Sequence, residues 1–261
     1  MRTMKKSLLL LTIASAITFA TSCKKDDDHG HDDTTGTTGT LRINVLPMFG
    51  DSVLNLNTES YVTANNDTMT VSRFKFYLSN IKLTTADNNV YNVPDGYYLI
   101  DAANASSQTI QLSDVPAGHY ASVSFLIGVD SARNVSGSQT GALDPANGMF
   151  WTWSTGYIMA KLEGNSPQSS ASQNGVIYHI GGFSGPNSAL RTVSVSLGTT
   201  HAIVSSTANP QINLAADAGE WFKTPTTLNI ATTASLMSVN STSRSIADNY
   251  SDMLKFISVQ N

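Results

Sequence analysis

The chain has 261 residues, with 15 Lys and Arg against 19 Asp and Glu for a net charge of −4, and 41% of it is hydrophobic. An acidic balance excludes the usual electrostatic footprint of a nucleic-acid or anionic-surface binder, so no nucleic acid is expected as partner. A single cysteine excludes a disulfide framework, and stability has to come from a hydrophobic core.

Met1–Ser22 carries Arg2, Lys5 and Lys6, then the apolar run Leu8–Ala20, then small residues before Cys23. This is the pattern of a signal peptide, too short and wrongly flanked for a spanning helix. Cys23 sits where a lipoprotein signal peptidase would cut and acylate, and its acyl chains would hold the protein to a membrane. The following Lys24-Lys25-Asp26-Asp27-Asp28 resembles the charged export signal of Bacteroidota surface lipoproteins, which implies an outer-membrane lipoprotein facing the periplasm or the cell surface. Cleavage removes three basic residues and no acidic one, leaving 12 basic against 19 acidic, a net charge of −7.

Residues 23–40 read as a disordered tether, charged and then Thr/Gly-rich, with nothing apolar to bury. His29 and His31 stand beside aspartates there, which suits either a weak divalent-metal contact or a solvated acidic linker.

The body, residues 41–261, is punctuated by short period-two runs. Leu41–Val45 alternates, and Thr70–Thr84 places Phe74, Phe76 and Leu78 in one phase and Ile81 and Leu83 in the other, with the change at Ser79-Asn80. Val90–Val93, Tyr97–Ile100, Thr109–Leu112 and His119–Val129 follow, separated by Asn, Asp, Pro and Gly turns. Gly148–Gly164 holds Met149, Trp151 and Trp153 in one phase, then Ile158, Ala160 and Leu162 in the other. That pattern predicts a long central strand kinked at Thr155-Gly156, where glycine permits a bend. Val176–Gly181, Thr192–Leu197, Gln211–Leu214 and Leu228–Ala231 are further strands, and Ile246–Val259 fits a strand or a short amphipathic helix. Without a repeat or internal linker, these elements predict one all-β domain, a single antiparallel β-sandwich of Greek-key, immunoglobulin-like type with long loops.

Chemistry-bearing motifs are sparse. There is no Gly-rich phosphate loop, nucleophile elbow or HExxH, which argues against an enzyme. Of the body's histidines, His119 and His201 read as solvated turn residues. His179 lies in the apolar strand Val176–Gly182, where a neutral imidazole needs a hydrogen-bond partner or a metal. Met149 with an imidazole would form a soft donor set for copper, whereas an aromatic stripe on a strand also serves as plain core. Asp51-Ser-Val53, Asp67-Thr-Met69 and Asp130-Ser-Ala132 fit either an O-glycosylation acceptor or ordinary turns and caps.

Four segments, Ile127–Asn134, Leu143–Tyr157, Lys161–Gly164 and Tyr178–Gly181, together with Phe76–Asn80, resemble the MbnP-like family from about Leu41 to about Phe256. The resemblance implies an extracytoplasmic β-sandwich that binds copper. It also implies a di-haem, peroxidase-like partner that oxidises a tryptophan to kynurenine. Carried across by position, His179 is the implied ligand and Trp151 or Trp153 the implied oxidised residue, with Met149, His119, His201 or Tyr178 available to complete the set. Two features depart from the family pattern: Asn134 is followed by Val135 rather than histidine, and no cysteine follows the His-Ile-Gly segment. The alternative is a metal-free structural or ligand-binding surface module, with the indoles as core or as a platform for glycans or peptides.

Overall fold

The computed structural model describes residues 36–151 and 156–261. The expected signal peptide, Cys23, His29, His31 and Trp153 lie outside the described residues. The described residues form one compact unit, and no helix among them is long and apolar enough to cross a membrane.

Fifteen strands follow in chain order among the described residues. The first six are β1 (Thr38–Phe49), β2 (Ser52–Val53), β3 (Tyr61–Val62), β4 (Thr68–Thr85), β5 (Val90–Asn92) and β6 (Tyr97–Asp101). After β7 (Thr109–Pro116) and β8 (Gly118–Ile127) comes helix α1 (Ser131–Val135), then β9 (Ile158–Asn165), β10 (Gly175–Gly181) and β11 (Arg191–Ser196). Next come β12 (Ala202–Val204), β13 (Gln211–Asp217) and β14 (Ser235–Leu236), then helix α2 (Ser241–Tyr250) and strand β15 (Leu254–Gln260).

The protein is mostly β, built from two sheets. The smaller runs β15-β13-β1-β2, with β7 sharing with β2 the edge of β1 away from β13, and the larger runs β11-β8-β4-β9-β10-β14 with β3, β5, β6 and β12 attached. Inward side chains of both, such as Leu41, Ile43, Ile212, Leu214, Phe74, Phe76, Val123 and Tyr178, share one core. The arrangement is not wholly antiparallel, because β1 pairs with β13 and β10 with β14 in parallel.

The break in the β4 pattern is a bulge. Register against β8 shifts between Ser79 and Lys82, and Asn80 adopts φ 49°, a left-handed conformation that asparagine tolerates. The shift realigns the strand, so Leu78 opposite Ile127 and Leu83 opposite Val123 bury toward the same side. Two phases in the sequence thus serve one face.

Three expectations are corrected. β1 begins at Thr38, so the last three residues assigned to the tether belong to a strand, with Thr38 and Gly39 paired to β7 and Thr40 at a register shift. Leu228–Ala231 is not a strand: Ile230 is fully buried, but its N–H donates to Asp67 Oδ2 rather than to a ladder. The ambiguous C-terminal stretch divides into both elements. Asn240 and Ser243 form a reciprocal capping box that starts α2, which buries Ile246 and Tyr250 before β15 begins at Leu254.

Candidate functional site

The predicted central strand is instead a chain reversal followed by a strand. Ile158 N–H donates to Met149 O at 2.9 Å, Trp151 N–H to Gly156 O at 3.2 Å, and Phe150 bridges antiparallel to Tyr157. The chain therefore folds back between Trp151 and Gly156, and only Ile158–Asn165 joins the sheet. Gly156, at φ 126°, supplies the turn geometry rather than a kink.

The excursion from Val129 to Tyr157 covers one end of the large sheet's outer face. Tyr77 and Tyr157 meet edge to face there, with centroids 5.8 Å apart, and their hydroxyls donate to Ala142 O and Leu143 O. Asn134, 3% exposed, clasps the arrangement: its Oδ1 accepts from Tyr157 N–H at 2.8 Å while its Nδ2 donates to Asp130 O at 3.0 Å. The neighbouring Val135 faces solvent. Asp130 caps α1, and Asp67 is buried against Ile230 N–H, so two of the three Asp-Ser/Thr pairs have local structural duties.

His179 and Gly181 lie on this outer face of β10, whereas Val176, Tyr178 and Ile180 point inward. Trp151 lies directly over Gly181. A Cβ there would stand 2.5 Å from Trp151 Cζ3 and 2.6 Å from Cη2, so the close approach requires glycine. The indole is 3% exposed and edges a cleft of about 140 Å³ lined by Gly156, Tyr157, Gly182, Phe183 and Val239. Burial removes Trp151 from any exposed aromatic platform.

One step along the same face, His179 meets a carboxylate. Its Nε2 lies 2.7 Å from Glu163 Oε1, and Glu163 Oε2 lies 3.1 Å from Arg73 Nε. His179 Nδ1 is buried and has no hydrogen-bond partner. Opposite His179 in the register is Lys161, which donates through Nζ to Gly148 O at 2.5 Å and lies 3.8 Å from Glu163 Oε1. Lys75 pairs with Asp101 at 2.8 Å beyond it. The hydrogen bond to His179 is the main cause holding the Glu163 carboxyl below the usual range, against burial, with Lys161 and Arg73 assisting. Burial pulls the Lys161 ammonium down.

This fixes the sign of one pH dependence. A carboxyl with a lowered folded pKa contributes stability that is complete above its unfolded value of about 4.3 and is lost as pH falls through the folded one. Glu220 behaves alike: burial acts upward on it, but bonds from Lys255 and Lys223 bring it below the usual range. Thermal unfolding followed from neutral to acid pH should show a loss of stability beginning near pH ~4, and Glu163→Gln and Glu220→Gln should each flatten part of that slope.

The remaining candidates disperse. Tyr178 points into the core and donates to Thr233 O, so it faces away from His179. Met149 is fully buried as part of the core. His119 and His201 lie at another part of the sheet, beside each other. Among the described residues no group of three or more His, Cys, Asp or Glu side chains is placed to hold a metal ion.

The family model of MbnP matches residues 38–240. The chain belongs to the MbnP family. Among solved structures, MbnP from Methylosinus trichosporium is similar at 12% identity, with a TM-score of 0.51 over 78% of this chain and 83% of that one. At that identity the likeness shows a shared fold. Nothing among curated proteins matches the sequence. Within this MbnP-family domain, Trp151, His179 and Glu163 all fall inside the matched span, and β15 lies outside it.

Proposed function

We infer that this MbnP-family protein is an extracytoplasmic copper binder, anchored through an acylated Cys23, with His179 as a nitrogen ligand. The supporting observation is the buried, unpartnered Nδ1 of His179 beside an Nε2 held by Glu163. A metal-bound histidine characteristically gives its second ring nitrogen to a carboxylate, which fixes the tautomer and leaves a lone pair on the other nitrogen. An orphaned imidazole nitrogen in a buried setting has a desolvation cost that a metal ion would offset. Glu163 would orient the ring, Arg73 and Lys161 would hold Glu163 ionised, and Trp151 would wall off water. One imidazole with its carboxylate fits a ligand and its support.

The family resemblance adds a second part to the reading, in which Trp151 or Trp153 is oxidised by a di-haem, peroxidase-like partner. Conversion to kynurenine cleaves the indole C2–C3 bond as each carbon gains one oxygen atom from the partner's oxidant, a peroxide, and hydrolysis of the resulting N-formyl C–N bond releases C2 as formate. The corresponding mass change in protein purified from its native source is the direct readout.

Copper titration of the purified chain tests the first part. We expect His179→Ala to weaken binding by more than the ~10–100-fold typical of losing an orienting group, and Glu163→Gln to fall within that range. Binding as tight in His179→Ala as in the unaltered chain overturns the reading.

A further inference from the structure

We propose that His119 and His201 form a second, solvent-facing site for a divalent transition-metal ion, independent of His179. In the sequence they are 82 positions apart, His119 near the start of β8 and His201 just before β12; in the fold their rings are neighbours, with centroids 6.4 Å apart and planes at 65°.

The sheet explains the meeting. β8 carries an extra residue at Ala121, because Thr84 pairs with Ser122 but Thr85 pairs with Tyr120. On the opposite edge of β8, β11 ends at Ser196 opposite Ser122, and β12 resumes with Ala202 opposite Tyr120 and Ile203 opposite His119. Residues 197–201 loop out across the bulge, pinned where Leu197 N–H donates to Ala121 O at 2.8 Å. His201 is therefore the diagonal neighbour of His119 on the outer face, the relation in which cross-strand side chains of this length touch. Tyr120 and Ala202 between them are buried, so both rings point the other way, His119 exposed and His201 half-buried.

Both backbones are held. His119 O accepts from Ala86 N–H at 2.9 Å, His201 O accepts from Asn261 Nδ2 at 3.1 Å, and Ile203 N–H donates to Asn261 Oδ1 at 2.7 Å. Anchored main chains with solvent-facing rings are what a surface chelate needs.

The distance suits a shared ion. With a metal–nitrogen bond of about 2.0–2.1 Å, an imidazole centroid lies about 3.2 Å from the metal, so two rings on opposite sides of one ion are about 6.4 Å apart. Rotation about the side-chain bonds shortens this to the separation for adjacent positions. Two neutral imidazoles with water in the remaining places favour Cu(II) over Zn(II) and Ni(II), following the general affinity order for nitrogen sites.

The two places cannot share an ion. His179 lies level with Lys75 of β4 through Lys161, and His119 lies beyond Thr85, so about ten residues at ~3.3 Å each put them on the order of 30 Å apart.

The test uses the full chain carrying His29→Ala, His31→Ala and His179→Ala, which removes the tether and the first site as sources of imidazole. Cu(II) is titrated in, and electron paramagnetic resonance with amide NMR line broadening reports the ligands and the place. The expected result is one equivalent bound with two nitrogen donors and broadening centred on residues 119–121 and 200–203. Adding either His119→Ala or His201→Ala should weaken it by at least ~10-fold. Binding unaffected by either change, dependent on only one of the two rings, or broadened elsewhere overturns the proposal. Because the first site is already removed, these outcomes are read separately from the fate of the His179 reading.

Discussion

Gly164→Ala should be among the most damaging single-atom-scale changes in this protein. A Cβ on Gly164 would stand 2.1 Å from Thr70 O, a main-chain atom, and 3.0 Å from Met69 Cε. A side-chain neighbour could swing away, but here the obstacle is the carbonyl of β4, and β4 is the strand to which β3, β5, β6, β8 and β9 all bond. Separating β9 from β4 near Gly164 breaks the Val71–Gly164 and Thr70–Asn165 pairings. Overpacking of a tight interior commonly costs about 1–3 kcal/mol, and a backbone obstacle belongs at the upper end or beyond. The change also disturbs the residue before it: Glu163 would move relative to His179, so the copper binding proposed for that histidine should weaken together with stability. Denaturant unfolding and copper titration on one preparation measure both. A variant with native stability would show that β4 and β9 can part locally at no cost, contrary to the packing described.

Trp221→Ala should cost about 3–5 kcal/mol, the usual range for truncating a buried aromatic. Trp221 is fully buried in the turn after β13, edge-on to Phe74 with centroids 6.2 Å apart and 5.3 Å from the Tyr250 ring. It thus joins the large sheet to α2, and Asn249 Nδ2 fixes its backbone by donating to Trp221 O at 2.8 Å. Trp221→Phe should be far milder, because the indole N–H is buried without an acceptor and replacing it removes an unsatisfied donor along with some volume. Chemical denaturation of the pair separates the two contributions. Equal losses in both variants would mean that a feature particular to the indole, not the size of the cavity left by truncation, sets the cost.

The strands were legible where alternation was clean. Val123, Phe125 and Ile127, or Val193 and Val195, declare a half-buried ribbon without any knowledge of partners. The reversal at Trp151–Gly156 was not, because both arms of a tight hairpin carry the same period-two signal as one strand with a kink. Ile230 misled for a different reason: a buried isoleucine reads as strand, and only the distant Asp67 carboxylate explains how its N–H is satisfied without a ladder.

At the candidate site, His179 stood out as a polar residue in an apolar run. Glu163 lay in a segment already singled out, yet its partnership depends on the β9–β10 register, which pairs Glu163 with Ile177 and so sets it diagonal to His179. No local pattern encodes that offset. The same holds for His119 and His201, each unremarkable alone, whose meeting depends on one extra residue in β8.

The parallel seam between β1 and β13 has a consequence for how the molecule comes into being. Arg42 lies opposite Gln211, 169 positions further along, so one flank of the first strand stays open until most of the polypeptide exists. Closing so wide a span carries an entropic penalty that grows with the logarithm of its length, and topologies dominated by such remote pairings mature in milliseconds to seconds rather than microseconds. During that interval Leu41, Ile43 and Val45 offer a bare, sticky ribbon, and escape from aggregation depends on how soon the last third of the chain arrives to cover it.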